Sequence, residues 1–168
     1  MIVEFKKRDS AVSPTRSHAS DAGLDVYFCP EDPEVAFAKI QPGESARLST
    51  GLSFGIPHGY MLQVCNRSSV AAKRNLVVGA HVVDSGYDGE VFIDFHNIGT
   101  EVQYVESGSK IAQLVMVPVV SFRARETKGD LYQEDISFSN RRDGALGSTD
   151  VATGVEFSAH PLNNIPGF

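Results

Sequence analysis

The stretch GAHVVDSGYDGEVFIDFHN, residues 79 to 97, interleaves apolar residues suited to buried strands with Asp84, Asp88, Glu90, Asp94, His81 and His96. Ionisable groups at this density are expected where strands line a wet polar pocket instead of core. Asp88-Gly89 predicts a two-residue type I′ hairpin, because both central positions of that turn need positive φ. Tyr87 then faces Glu90, Asp84 faces Ile93, Val83 faces Asp94 and His81 faces His96. Asp84 and Asp94 point to opposite faces in this register, which argues against two carboxylates converging on one bond. The same register gathers His81, Asp94 and His96 on one side. That is the residue set of a two-histidine, one-carboxylate metal centre, and equally an ordinary solvated strand face.

Asp84 follows two valines and precedes Ser-Gly, so its carboxylate is expected where a strand opens into a turn. A carboxylate there suits a base that orients and activates water, or it serves only to bond turn amides. A second cluster is NRSSVAAKR, where Arg67, Ser68 and Ser69 precede a short helical turn with Ser68 or Ser69 as its N-cap. Helix amides, hydroxyls and a guanidinium fork together form an anion pocket; the plainer reading is a capped turn with a solvated arginine. A third is RRDGALGST, where glycines let the backbone turn its amides inward beside two arginines. Gln113 in KIAQLVMV is an amide inside an apolar strand and needs partners if buried. Asp25 in AGLDVYF either faces a metal-bound water or caps local backbone donors.

These groups are positioned by a chain of 168 residues, a length that suits one domain with a real core. Short apolar or alternating runs recur at IVEF, LDVYF, ARLST, YMLQVC, NLVV, EVFIDFHN and KIAQLVMV, separated by QPGE, GIPHG, YDGE and ESGSK. The pattern is all-β, and a barrel or two-sheet jelly roll fits it. No GxGxxG, GxxxxGK[ST] or GxSxG occurs, so Rossmann, P-loop and α/β-hydrolase readings fall away. The domain is expected over residues 1–137. Residues 138–168, rich in Ser, Asn and Gly, are expected to form a mobile C-terminal arm.

A net charge of −6 gives no general attraction to nucleic acid or anionic membranes. The charged N-terminus MIVEFKKRDS and a longest apolar run of LVMVPVV predict neither a secretory signal nor a membrane span, hence a soluble cytoplasmic protein. Cys29 and Cys65 fit no metal or redox spacing and read as buried thiols.

Taken in order, SDAGLDVYF, NRSSVAAK, GAHVVDSGYDGEV, GSKIAQLV and RRDGALGST resemble the five motifs of the trimeric dUTPase family. The resemblance implies a β jelly-roll homotrimer with active sites shared between subunits and closed by the C-terminal arm. It implies hydrolysis of dUTP to dUMP and pyrophosphate with Mg²⁺. Asp84 would orient and deprotonate the water that attacks the α-phosphorus. Tyr87 would pack on the deoxyribose and leave no room for a 2′-hydroxyl. Arg67, Ser68, Ser69 and Gln113 would hold phosphate oxygens, and Asp25 would reach Mg²⁺ through water. In the arm, Arg141 would clamp the terminal phosphate while Gly147, Ser148 and Thr149 close over the phosphates.

Leu146 stands where the family has a phenylalanine that stacks on uracil, and His81 replaces a small residue beside the pyrimidine pocket. AHVVDSGYDGEVFIDF also looks like dCTP deaminases, which carry a glutamate at the position of Asp94 and an arginine at that of Ala72. Deamination, alone or combined with hydrolysis, is therefore the alternative activity. A catalytically weak nucleotide-binding regulator is the alternative of another class.

Overall fold

The computed structural model describes residues 1–129. All strands among the described residues lie in a unit spanning Met1–Phe122. Among the described residues eleven strands and one helix follow in chain order: β1 Phe5–Lys7, β2 Gly23–Tyr27, β3 Phe37–Ile40, β4 Ser45–Ser49, β5 Leu52–Phe54, β6 Tyr60–Asn66, α1 Ser68–Arg74, β7 Leu76–Val78, β8 Val82–Val83, β9 Phe92–Asn97, β10 Gln103–Glu106 and β11 Lys110–Pro118. The fold is mostly β, as the alternating pattern predicts.

Four strands in the order β2-β11-β6-β8 form the largest sheet, and β4-β9-β7 form a second; β1 pairs with β5 and β10 with β3. Burial follows the two-residue period. On β9, Ile93, Phe95 and Asn97 are buried while Asp94 and His96 face outward. On β6, Leu62 and Val64 point inward and Gln63 and Cys65 stay partly exposed. Ile93, Phe95, Leu48, Leu76, Val26 and Leu114 belong to one hydrophobic cluster, so both larger sheets share a core whose apolar burial drives their assembly. The buried Asn97 amide donates to the carbonyls of Ile40 (3.0 Å) and Glu101 (2.8 Å), and its oxygen accepts from Gly99 N–H (3.0 Å). A polar group buried in this way costs little because its partners replace water.

Several local expectations are corrected. Asp88-Gly89 does not close a hairpin. β8 pairs with β6, through Leu62↔Val83 and Gln63↔Val82, whereas β9 pairs with β4 and β7. The turn falls earlier, where Tyr87 N–H donates to the Asp84 carbonyl (3.3 Å) and Gly86 takes φ +87°. The pairs Tyr87–Glu90, Asp84–Ile93, Val83–Asp94 and His81–His96 are therefore not cross-strand neighbours. A two-residue propensity lost to the burial gained by pairing each arm with a sequence-distant strand. The N-cap of α1 is Arg67, with extended φ −86°, ψ 133° and no side-chain cap bond, rather than either serine. Cys29 is buried but Cys65 only partly so, and both are free thiols. Strands β3, β5 and β10 are too short to stand out from their surroundings in the sequence.

Candidate active site

The four-stranded sheet gathers one polar cluster. Asp25 on β2 lies opposite Gln113 on β11, which lies opposite Cys65 on β6, so these side chains share a face. An antiparallel bridge to Thr15 fixes the Asp25 backbone, with Asp25 N–H donating at 2.7 Å and Thr15 N–H returning at 3.0 Å. The chain leaves β6 at Asn66 and starts α1 at Ser68, which holds Arg67 at an extended junction. From there Arg67 Nε donates to Asp25 Oδ1 at 2.9 Å, and Lys110 Nζ donates to Oδ2 at 2.8 Å. The hydrogen bond to Asp25 raises the Lys110 pKa above its ordinary value. Gln113 Nε2 donates to the Asn66 carbonyl at 2.9 Å. Asn66 Oδ1 accepts from Val78 N–H at 2.8 Å and so ties β6 to β7. Ser68 and Ser69 are exposed at the start of α1, whose first turn carries no acidic side chain. The cluster combines two cations and an amide around one carboxylate, with two exposed serines following Arg67 in the chain, a composition suited to phosphate oxygens.

Lys110 is the member that sequence reasoning missed. Strict alternation puts residues 110 and 113 on opposite faces. A register shift between Lys110 and Ala112 breaks that alternation and re-aims the lysine toward Asp25.

Asp84 and Tyr87 lie elsewhere. Asp84 directly follows β8, at the far edge of the sheet from β2, and its side chain is exposed. The turn's hydrogen bond goes to its carbonyl, leaving the carboxylate facing solvent. Three strand spacings and four residues of rise separate Asp84 from Asp25 in this register, about 20 Å between Cα positions. One chain therefore brings together Asp25, Arg67 and Gln113, with Ser68 and Ser69 next to Arg67 in sequence, but not Asp84 and Tyr87. Tyr87 is 46% exposed, with its hydroxyl donating to the Glu90 carbonyl at 2.8 Å.

His81 stands at the entry to β8. Its Nδ1 donates to the Val64 carbonyl at 2.9 Å, and Val64 N–H donates to the His81 carbonyl at 2.8 Å. His96 Nε2 instead lies 3.2 Å from Asp94 Oδ2 on β9. The expected grouping of His81, Asp94 and His96 as a metal centre is thus corrected: they sit on different sheets, and among the described residues no three His, Cys, Asp or Glu side chains are placed to hold a metal. Gly79 makes room for the His96–Asp94 pair, since a Cβ there would overlap both side chains. Arg141, Leu146, Gly147, Ser148 and Thr149 lie outside the described residues.

A mostly β chain with this strand arrangement matches solved dUTPases in fold. Staphylococcus bacteriophage 80alpha dUTPase with dUPNHPP superposes with a TM-score of 0.75 at 24% identity, over 88% of this chain and 98% of that one. A point mutant of the dUTPase from phage phi11 of S. aureus, described with a coordinated structural Mg(II) ion, gives 0.69 at 23% identity, over 79% and 100%. The dUTPase family model matches residues 9–149, which includes all five motifs. Deoxyuridine 5'-triphosphate nucleotidohydrolase of Clostridium acetobutylicum is 37% identical, over 85% of this chain and 92% of the relative. That of Hydrogenobaculum sp. is 34% identical, over 87% and 95%. The chain belongs to the dUTPase family.

Proposed function

We propose that the chain hydrolyses dUTP to dUMP and pyrophosphate by water attack on the α-phosphorus, in a site completed by a neighbouring copy. Family membership over most of the chain supports the reaction. The observation that carries the shared site is the separation of Asp84 and Tyr87 from Asp25, Arg67 and Gln113. The base and the phosphate-holding groups must converge within a few ångströms of one phosphorus, and a spacing of about 20 Å within a single chain supports a site completed by another copy. A homotrimer with jelly-roll subunits, Asp84 supplied by one copy and the phosphate cluster by another, satisfies both requirements.

In this reading Asp84, exposed beyond β8, accepts the proton of the attacking water and holds its lone pair toward phosphorus. Arg67, Ser68, Ser69 and Gln113 bind phosphate oxygens and fix the α-phosphate in line. Tyr87 packs on the deoxyribose and His81 lies beside the base. Arg141, Gly147, Ser148 and Thr149 close over the phosphates, and Leu146 covers the base. Residues 1–137 form the catalytic domain and 138–168 the arm.

Magnesium fits as an ion carried by the triphosphate. Asp25 already receives Arg67 and Lys110 on its two oxygens. Each carboxylate oxygen keeps a second lone pair for a water, so Asp25 would hold the ion through water. When bound, the ion neutralises charge on the phosphate oxygens.

The decisive experiment offers the purified protein each deoxynucleoside triphosphate with Mg²⁺ and separates the products by chromatography. dUMP and pyrophosphate from dUTP are expected. dUTP and ammonia from dCTP would establish deamination instead, and binding without any product would make the chain a nucleotide-binding regulator.

A further inference from the structure

Glu90 carries more hydrogen bonds than a surface carboxylate needs, and the reaction described above gives it no part. Its side chain is 20% exposed. Oε1 accepts from Gly51 N–H at 2.8 Å and lies 2.5 Å from the Ser49 hydroxyl. Oε2 lies 3.5 Å from Arg8 Nη1. Arg8 is itself anchored, with Nη2 donating to the Cys29 carbonyl at 2.5 Å and Ser49 Oγ at 3.2 Å. Neighbouring backbone follows the same course: Val91 N–H donates to the Leu52 carbonyl at 2.8 Å, and Thr50 Oγ1 to the Val91 carbonyl at 2.6 Å. The end of the 84–90 loop is thus tied to the Ser49–Leu52 turn from both main chain and side chain.

The same residue meets Tyr87 from the other side. The Tyr87 hydroxyl donates to the Glu90 carbonyl at 2.8 Å. The ring lies so close over Gly89 that a Cβ there would stand 2.5 Å from Oη and 2.6 Å from Cζ. With Tyr87 N–H bonded to the Asp84 carbonyl, the loop is closed by one bond from each end of the tyrosine. An exposed aromatic ring otherwise samples several rotamers; here its tip is held by a carbonyl whose own residue is clamped.

We propose that Glu90 is a positioning residue for deoxyribose selection. Its carboxylate fixes the 84–90 loop to Ser49, Gly51 and Arg8, and its carbonyl fixes the Tyr87 ring in the attitude that excludes a 2′-hydroxyl. The inference rests on the reading of Tyr87 as the group that meets the sugar. Glu90→Gln keeps an acceptor for Gly51 and Ser49, whereas Glu90→Ala removes it and leaves the Gly51 N–H unpaired.

The test measures kcat/KM for dUTP and for UTP in the wild type, Glu90→Ala, Glu90→Gln, Tyr87→Phe and the Tyr87→Phe/Glu90→Ala double variant. Preference for dUTP over UTP should fall by about tenfold or more in Glu90→Ala. Glu90→Gln should retain most of it. Tyr87→Phe should reproduce the loss, and the double variant should be no worse than either single one, because both act through one bond. A folded Glu90→Ala protein with unchanged preference overturns the proposal, since a purely stabilising role leaves the ratio untouched. Should Glu90→Ala fail to fold, Ser49→Ala replaces it: a reduced preference supports the proposal and an unchanged one overturns it. Absence of dUTP turnover in the wild type is failure of the functional reading instead. Amide exchange then decides, with faster exchange at Tyr87 in Glu90→Ala supporting the clamp and unchanged exchange overturning it.

Discussion

Arg67 reaches Asp25 at 2.9 Å across the strand that lies between them. Asp25 belongs to β2 and Arg67 follows β6, with β11 and Gln113 in the middle. The pair spans 42 residues of sequence and forms a polar bracket over Gln113. Asp25 is only 15% exposed and faces a second cation, Lys110. Removing the carboxylate would leave two neighbouring positive charges without their partner. In the proposed site, a phosphate oxygen at Arg67 would compete with Asp25 for the guanidinium, while Lys110 would still hold the other carboxylate oxygen.

Asp84→Asn should lower turnover of dUTP by roughly 10²–10⁴ while leaving nucleotide affinity largely intact, the range for loss of a general base. Steady-state rates paired with binding of a non-hydrolysable dUTP analogue check it. Wild-type turnover in the variant would remove Asp84 from the mechanism.

The proposed sharing of the site between copies would allow complementation. Asp84→Asn and Arg67→Ala should each be nearly inactive alone, yet equal mixtures refolded together should recover activity in about a quarter of their sites, those that draw each intact residue from a different copy. Activity no greater than the sum of the two separate variants would place both residues in one chain's site.

Lys110 links the cluster to pH. Its hydrogen bond to Asp25 raises it above the ordinary 10.5, so the folded state binds this proton more tightly than the unfolded chain does. The stabilisation is fully present below the unfolded pKa and is lost as pH rises through the folded value. Urea midpoints of the wild type should exceed those of Lys110→Met at about pH 8, and the gap should close at pH values above about 10.5. A gap independent of pH would show that the lysine contributes through its aliphatic stem alone.

Chelation should separate catalysis from folding. Because the proposed reaction uses Mg²⁺ carried by the triphosphate, EDTA is expected to abolish turnover and leave the thermal midpoint of the nucleotide-free protein unchanged. Restored activity on adding Mg²⁺ completes the result. A lowered midpoint would reveal a structural ion instead.

Truncation after Asn140 removes Arg141 and Gly147–Thr149 and should weaken catalysis without changing the oligomeric state of the protein. Rates and sedimentation measured on the same sample check it. Undiminished rates would leave the arm without a catalytic part.

Much of the fold was legible in the sequence. The alternation of EVFIDFHN places Ile93 and Phe95 inward and Asp94 and His96 outward, and β9 follows it residue by residue. β6 and β11 likewise fall on their apolar runs. The motifs that carry Asp25, Arg67, Asp84 and Gln113 could be read in order through their resemblance to the dUTPase family, and the strand faces through a two-residue period that short stretches of chain carry by themselves. Which residues meet was decided only by tertiary structure. Asp88-Gly89 is a strong local turn signal that lost to pairing of β8 with β6 and of β9 with β4 and β7. A bulge no local pattern announces brings Lys110 to Asp25, and the clamp on Glu90 draws together Arg8, Ser49 and Gly51 from distant parts of the chain. The physical reason is common to all three: strand pairing is chosen by the apolar surface the whole chain buries, which no short segment can weigh by itself.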